Sequence, residues 1–249
     1  MKALLSSTYF GPIQWYQKLN RYDECLIERH ESFIKQTYRN RMLIPTTNGP
    51  LSLTIPTNHN TSLAMKDIRI SDHANWRHVH WNALLSAYGE SPFFEYYQDD
   101  IRPFYEKKYE FLFDFNMEIT EKMIELLDIR PKISVTSEYI QSEELKEKSI
   151  ESEELKVKSE EFNGLANHKV QSSNHKVQSK EVQSKEVQSK EVQSIVDFRE
   201  AIRPKKPLPD AEFESKRYYQ VYEQKFGFQP NMSILDLLFN EGNEAIFYL

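Results

Sequence analysis

Cysteine is nearly absent: Cys25 is the only one in 249 residues. An intramolecular disulfide, a zinc ribbon and a CxxC redox motif are therefore excluded. Long apolar runs are missing as well. No stretch approaches the ~20 apolar residues of a membrane span, and the apolar part of the opening MKALLSSTYF is too short for a secretory signal core. We expect a cytoplasmic protein with no direct membrane insertion. Positive charge is not in excess. The formal net charge is -6, and no predicted element carries an aromatic-and-basic stripe, so a nucleic-acid partner is not expected. A P-loop and a GxGxxG turn are also lacking, because the segment Ser6–Pro12 after the first predicted strand has one Gly and no Lys. Neither GxSxG nor a Cys-His nucleophile arrangement occurs.

Hydrophobic residues make up 39% of the chain, below the usual globular share. The deficit is local. Residues 143–194 are rich in Lys, Glu and Ser, and VQS recurs at Val170, Val177, Val182, Val187 and Val192. Each unit offers one Val, so ordering it buries too little apolar surface to offset the entropy lost. We read 143–194 as a disordered, charged repeat insert. The remainder carries nearly all of the 15 Phe and 14 Tyr, enough for a core in roughly 190 residues. The expected organisation is one domain made of 1–142 and 195–249, interrupted by the insert.

The fold class read from the pattern is α/β, a mixed sheet with flanking helices. Ala3 to Ser6 reads as a buried strand, and Pro12 suits the first turn of a helix from Ile13 to Asn20. Glu24 to Glu28 is a second strand. Tyr38 to Ile44 and Leu51 to Ile55 form an antiparallel pair around Asn48-Gly49. Asp67 to Ile70 is a short strand. Ser71 or Asp72 caps a helix from about Asn75 to Tyr88. Further helices run from Pro92 to Tyr105 and from Leu112 to Leu127, and Lys132 to Thr136 returns as a strand. After the insert, Pro204, Pro207 and Pro209 mark an extended connector. Ser233 and Asp236 have capping-box spacing for a helix ended by Gly242.

The candidate site residues come from four places. Arg39 and Arg41 flank Asn40 on a predicted strand, where i and i+2 share a face, and arginine forks suit phosphate or carboxylate. The plainer alternative is a solvated edge strand. His80 is the candidate acid/base, since an imidazole titrates near neutrality. Trp76 lies four residues before it on the same helix face, and His73 sits at the helix start. His78 and His80 diverge by about 200° on a helix, so no metal site is read there. The strand-to-helix corner that includes Tyr9 is where open α/β sheets bind ligands. Asp236 and Asn240 share one helix face, and either line a pocket or form the wet side of a short helix.

Taken in order, three of these stretches resemble the WbqC-like family of bacterial proteins. They are SSTYFGPIQWYQKL at the start, Tyr38 to Arg41 with Leu51 to Pro56, and Tyr222 to Gln224 through Ser233 to Gly242. Departures are Ser7 where the family usually has Gln and Gly11 where it has Pro. The insert also occupies an interval where longer members keep more structure. The resemblance implies a setting in O-antigen or other surface-polysaccharide biosynthesis. On that reading the protein is a transferase modifying a nucleotide-activated sugar or another anionic precursor. Arg39 and Arg41 would hold the anion, His80 would move protons, and Asn40, Asp236 and Asn240 would orient the ligand. No cofactor is indicated. The competing reading is a non-catalytic binding or scaffold protein, with Tyr218, Tyr219, Tyr222, Phe226 and Phe228 as an exposed contact surface.

The insert reading has a direct test. Deleting 143–194 is expected to leave the thermal melting temperature unchanged, and a large fall would overturn it.

Overall fold

The computed structural model describes residues 1–58, 63–142 and 194–249. Apart from Ser194, the expected disordered insert lies outside the described residues. Residues Met1–Ile140 and Val196–Leu249 form one compact unit. A second unit, Gln141–Ile195, is described only at Gln141, Ser142, Ser194 and Ile195.

The α/β class holds. A four-stranded sheet has the order β7 (Ile133–Val135), β2 (Glu24–Glu28), β1 (Lys2–Ser6), β8 (Ile195–Asp197). β1 and β2 are parallel, as are β2 and β7. Ala3, Leu4 and Leu5 are fully buried, as a strand covered on both faces requires. Cys25 is buried in β2, and burial, with the nearby Glu24 charge, pushes its thiol up to about 12. It is an inert core residue.

Two antiparallel pairs stand apart from this sheet: β3 (Arg41–Ile44) with β4 (Leu51–Thr54), and β5 (Thr57–Asn58) with β6 (Arg69–Ile70). Several boundaries differ from expectation. β3 begins at Arg41, so Arg39 and Asn40 lie in the preceding turn rather than on a strand. A 3-10 turn, Met65–Asp67, occupies the start of the expected Asp67 strand. Leu51 is exposed where alternation predicted burial.

Helices α1 (Ile13–Arg21), α2 (Trp76–Tyr88), α3 (Phe94–Ile101), α4 (Pro103–Glu106), α5 (Leu112–Leu126), α6 (Glu223–Phe226) and α7 (Ile234–Glu241) complete the described elements, with 3-10 turns at His73–Asn75 and Gly242–Tyr248. The expected Pro92–Tyr105 helix is thus two helices. Ser71 and Asp72 do not cap α2. The cap position is Asn75, in a left-handed conformation and without a side-chain cap, while Asp72 pairs with Arg77 and Lys108. Ser233 does cap α7, accepting from Leu235 N at 3.4 Å. The reciprocal half of the capping box is missing. Ser233 N donates to the Leu43 carbonyl instead, and the Asp236 carboxylate turns to Tyr218.

The C-terminal segment is sewn onto α1. Ile13 N donates to Met232 O at 3.1 Å, Ile234 N to Gly11 O at 2.9 Å, and Ser233 Oγ to Phe10 O at 2.8 Å. The polar side of α1 is covered too. Gln14 exchanges hydrogen bonds with Asn231, Gln17 reaches the Glu214 and Tyr248 carbonyls, and Tyr22 donates to Glu212. Seven consecutive residues, Ile13 to Leu19, are buried as a result. Among them is Lys18, fully buried, whose Nζ lies 2.9 Å from Asp210 Oδ1 and 4.3 Å from the centre of the Phe198 ring.

A buried ion pair costs most when only one partner is removed. Lys18→Met is expected to destabilise the protein by about 3–5 kcal/mol, read by denaturant melts. The double replacement Lys18→Met/Asp210→Leu should recover much of that loss. Equal losses in the single and double variants would show that the pair is not the cause.

Candidate functional site

Residues 7–12 carry the chain from β1 to α1 through a sharp corner. Phe10 sits there at φ +40, a left-handed conformation that is costly outside glycine. Gly11 follows from close packing, because a Cβ on it would meet Thr8 Oγ1 at 2.4 Å. This corner turns Tyr9 fully inward, and Tyr9 N is fixed by Tyr38 O at 2.9 Å.

The Tyr9 hydroxyl lies 2.9 Å from His80 Nδ1 and 2.9 Å from the Tyr105 hydroxyl. The Thr54 backbone also acts on the His80 ring, favouring its protonated form. With Nδ1 on the Tyr9 hydroxyl and the Thr54 carbonyl able only to accept, we assign the ring proton to the other nitrogen, so that Nδ1 accepts from Tyr9. Tyr105 then donates to Tyr9. Thr54 continues the chain, since its Oγ1 accepts from Arg41 Nε at 3.0 Å. Tyr105, Tyr9, His80, Thr54 and Arg41 thus form one line of polar contacts joining α4, the corner after β1, α2, β4 and β3. Arg41 is half-buried and has no carboxylate within ion-pair distance among the described residues.

Burial pulls the His80 pKa down to about 4, with the Thr54 carbonyl opposing it. The imidazole is therefore neutral at neutral pH, which differs from the near-neutral titration expected of it. Burial, reinforced by Tyr105, raises the Tyr9 phenol well above its usual range. Tyr9 is held as a hydroxyl.

Arg39 has a different environment from Arg41. It is buried, with Nε on Glu31 Oε1 at 2.7 Å, Nη2 on Glu31 Oε2 at 2.5 Å and Ser6 Oγ at 2.9 Å, and Nη1 on Thr37 at 3.2 Å. Its fork is occupied by a carboxylate of the chain itself. Asn40 is buried and donates to Ile55 O at 3.0 Å, leaving its Oδ1 without a partner among the described residues. Asn116 on α5 likewise donates to Arg39 O at 2.8 Å, with its Oδ1 unpartnered among the described residues. Both amide orientations are dictated by carbonyls that need a donor.

The remaining candidates divide. Trp76 is buried with its ring 5.2 Å from that of His80. His73 is exposed in the turn before α2. His78 is exposed on the other side of α2, bonded to Asn82 at 2.9 Å, so the two helix histidines do diverge. Asp236 and Asn240 share a face, but it is the core face of α7. Asn240 Nδ2 donates to Asp236 O at 2.7 Å, and Asp236 Oδ2 accepts from Tyr218 at 2.5 Å and Gln220 at 2.7 Å. Burial raises the Asp236 carboxyl to about 6 against the pull of these donors. Among the described residues, no hydrogen bond joins this group to the Tyr9–His80 line.

Sequence reasoning missed Tyr105, Thr54, Glu31 and Asn116. Only Asn116 left a signal: with Thr120 it puts two polar residues on the apolar stripe of α5. It also missed a buried cluster at the carboxyl end of β2, where Glu28 accepts from Thr136 at 2.7 Å and lies 3.7 Å from Arg199. A cleft of about 350 Å³ between α3, α4 and α5, lined by Asp99, Phe104, Tyr109, Glu118 and Lys122 among others, contains none of the predicted site residues. The aromatic run splits: Tyr218 is buried, Tyr222 and Phe228 are half-buried, and Tyr219 and Phe226 are exposed.

The profile described as the WbqC-like protein family matches residues 7–194 and 208–248. An uncharacterized protein of Mycobacterium tuberculosis is 26% identical over 250 residues, spanning 99% of this chain and 96% of the relative. No solved structure matches at a significant level. No helix among the described residues is long and apolar enough to cross a membrane.

His80 and Asp236 predict opposite acid responses. An unfolded His binds its proton near 6.5 and native His80 near 4, so this group costs stability as pH falls between those values. Native Asp236 binds its proton near 6 and an unfolded Asp near 3.9, so stability rises as pH falls through that window. Each effect is worth up to about 3 kcal/mol. His80→Gln should therefore gain on the wild type from pH 7 to 4, and Asp236→Asn should lose ground. Parallel pH–melting curves for all three proteins would contradict the assignment.

Proposed function

The chain belongs to the WbqC-like protein family, and we propose that it binds a nucleotide-activated sugar, or a similar anionic precursor of surface polysaccharide, and acts on it as a transferase. The observation that carries this reading is the line from Tyr105 through Tyr9, His80 and Thr54 to Arg41. It sits at the corner after β1, on the side of a parallel sheet where ligands bind in open α/β folds. Arg41 supplies the charge for a phosphate, in the role first given to both arginines. Arg39 supports the site from behind through Glu31 and Ser6. Tyr9 relays a proton: it takes one from a ligand hydroxyl as its own passes to His80 Nδ1, which leaves the ligand oxygen as the nucleophile and the phenol neutral. The unpartnered Oδ1 atoms of Asn40 and Asn116 favour a ligand that brings O–H or N–H donors, as a sugar does. Asp236 and Asn240 act at a distance, by holding the 218–229 segment.

The scaffold reading keeps Tyr219 and Phe226 as contact residues, but its aromatic surface is reduced by the burial of Tyr218.

Thermal shift with a panel of nucleotide sugars decides between them. A ligand at 100 times its Kd stabilises by about 2.7 kcal/mol, so one member should raise the melting temperature by several degrees. Arg41→Gln should weaken that binding about tenfold. Tyr9→Phe should keep binding and lose turnover. Absence of any shift across the panel would leave the scaffold reading.

A further inference from the structure

Arg77, the second residue of α2, plays no part in the line described above. Its Nη1 donates to Asp72 Oδ1 at 2.5 Å, and its guanidinium carbon lies 4.6 Å from the centre of the Trp76 ring. Its Nε and Nη2 are buried and meet no acceptor among the described residues. The indole N–H of Trp76, a side chain only 4% exposed, is also buried and unpartnered. Three buried donors on adjacent residues thus have no acceptor among the described residues. Buried donors are nearly always satisfied, so a group of orphans points to a missing partner.

The helix start agrees. Ala74 and Asn75 are both left-handed, at φ 65 and 45, and no side chain caps the thirteen-residue helix α2. Its positive dipole end is left without the usual oxygen acceptor. Charge counts the same way: Arg77 and Lys108 both contact Asp72, which leaves one positive charge over. A donor-only fork, an indole N–H and a helix N-terminus together call for an acceptor that is negatively charged.

We propose that the first turn of α2 is an anion site, in which Arg77 and the Trp76 indole N–H hold a phosphate or carboxylate. The proposal does not rest on the transferase reading. The Trp76 ring that lies 4.6 Å from the Arg77 guanidinium carbon also lies 5.2 Å from the His80 ring.

Calorimetric titration of the full chain tests it, with inorganic phosphate, acetate and uridine diphosphate as separate probes. At least one probe should bind the wild type, and Arg77→Gln should weaken it about tenfold or more. Trp76→Phe should weaken it less, because it removes one neutral donor. Arg77→Lys, which keeps the charge and loses the fork, should also weaken binding, and its unliganded melting temperature shows whether the variant is folded. Tighter binding of the diphosphate than of phosphate, with the same Arg77 dependence, would assign the anion to a nucleotide. Preference for phosphate or acetate alone would assign it to a free anion. Equal affinity in wild type and both Arg77 variants, or no binding of any probe, would overturn the proposal. Loss of phosphate binding in Arg41→Gln with Arg77→Gln unaffected would overturn it as well, by moving the anion to the other site.

Discussion

The ammonium of Lys18 is the constraint on which much of this molecule turns. A lysine with no exposure at all needs a carboxylate beside it, and Asp210 supplies one from nearly two hundred residues away in sequence. Meeting that need draws the segment after the prolines across α1, where Gln14, Gln17 and Tyr22 bind it further. Residues 13–19 of the helix are then all buried, although Gln14, Gln17 and Lys18 among them are polar. Once the strap is down, Met232 to Ile234 pair with the backbone of residues 11–13, and α7 is delivered to the same corner that holds Tyr9.

That corner converts a packing problem into a chemical one. The left-handed Phe10 and the Cβ-free Gly11 turn the chain tightly enough for Tyr9 to point inward. Inside, a phenol must find partners, and it finds His80 and Tyr105. Burial then decides the charge state of each member: the imidazole neutral, the phenol protonated. The outer end of the line, Arg41, is half-buried at the start of β3.

The arginines show how far residue type alone can mislead. An Arg-Asn-Arg run reads as two forks on one face if it lies on a strand. One residue of turn separates the two outcomes: Arg39 faces Glu31 inside, whereas Arg41 faces Thr54. Asp236 and Asn240 teach a related lesson. Their helical spacing was right, but the face they share is the one the core covers.

The sequence alone determined the local elements. The strands near residues 2–6 and 24–28, the helices beginning at Ile13 and Leu112, the turn at Gly49 and the end of α7 at Gly242 all follow from hydrophobic periodicity and from Gly and Pro, which act over a few residues. The ordered motifs also determined the family. Only the tertiary structure decided which polar residues meet. Tyr105, Thr54, Asn116 and Glu31 reach the site from separate elements, and apart from Asn116, which interrupts the apolar stripe of α5, they leave no periodic trace. Charge states were decided there too, because desolvation depends on what covers a group. That covering is contributed largely by chain distant in sequence.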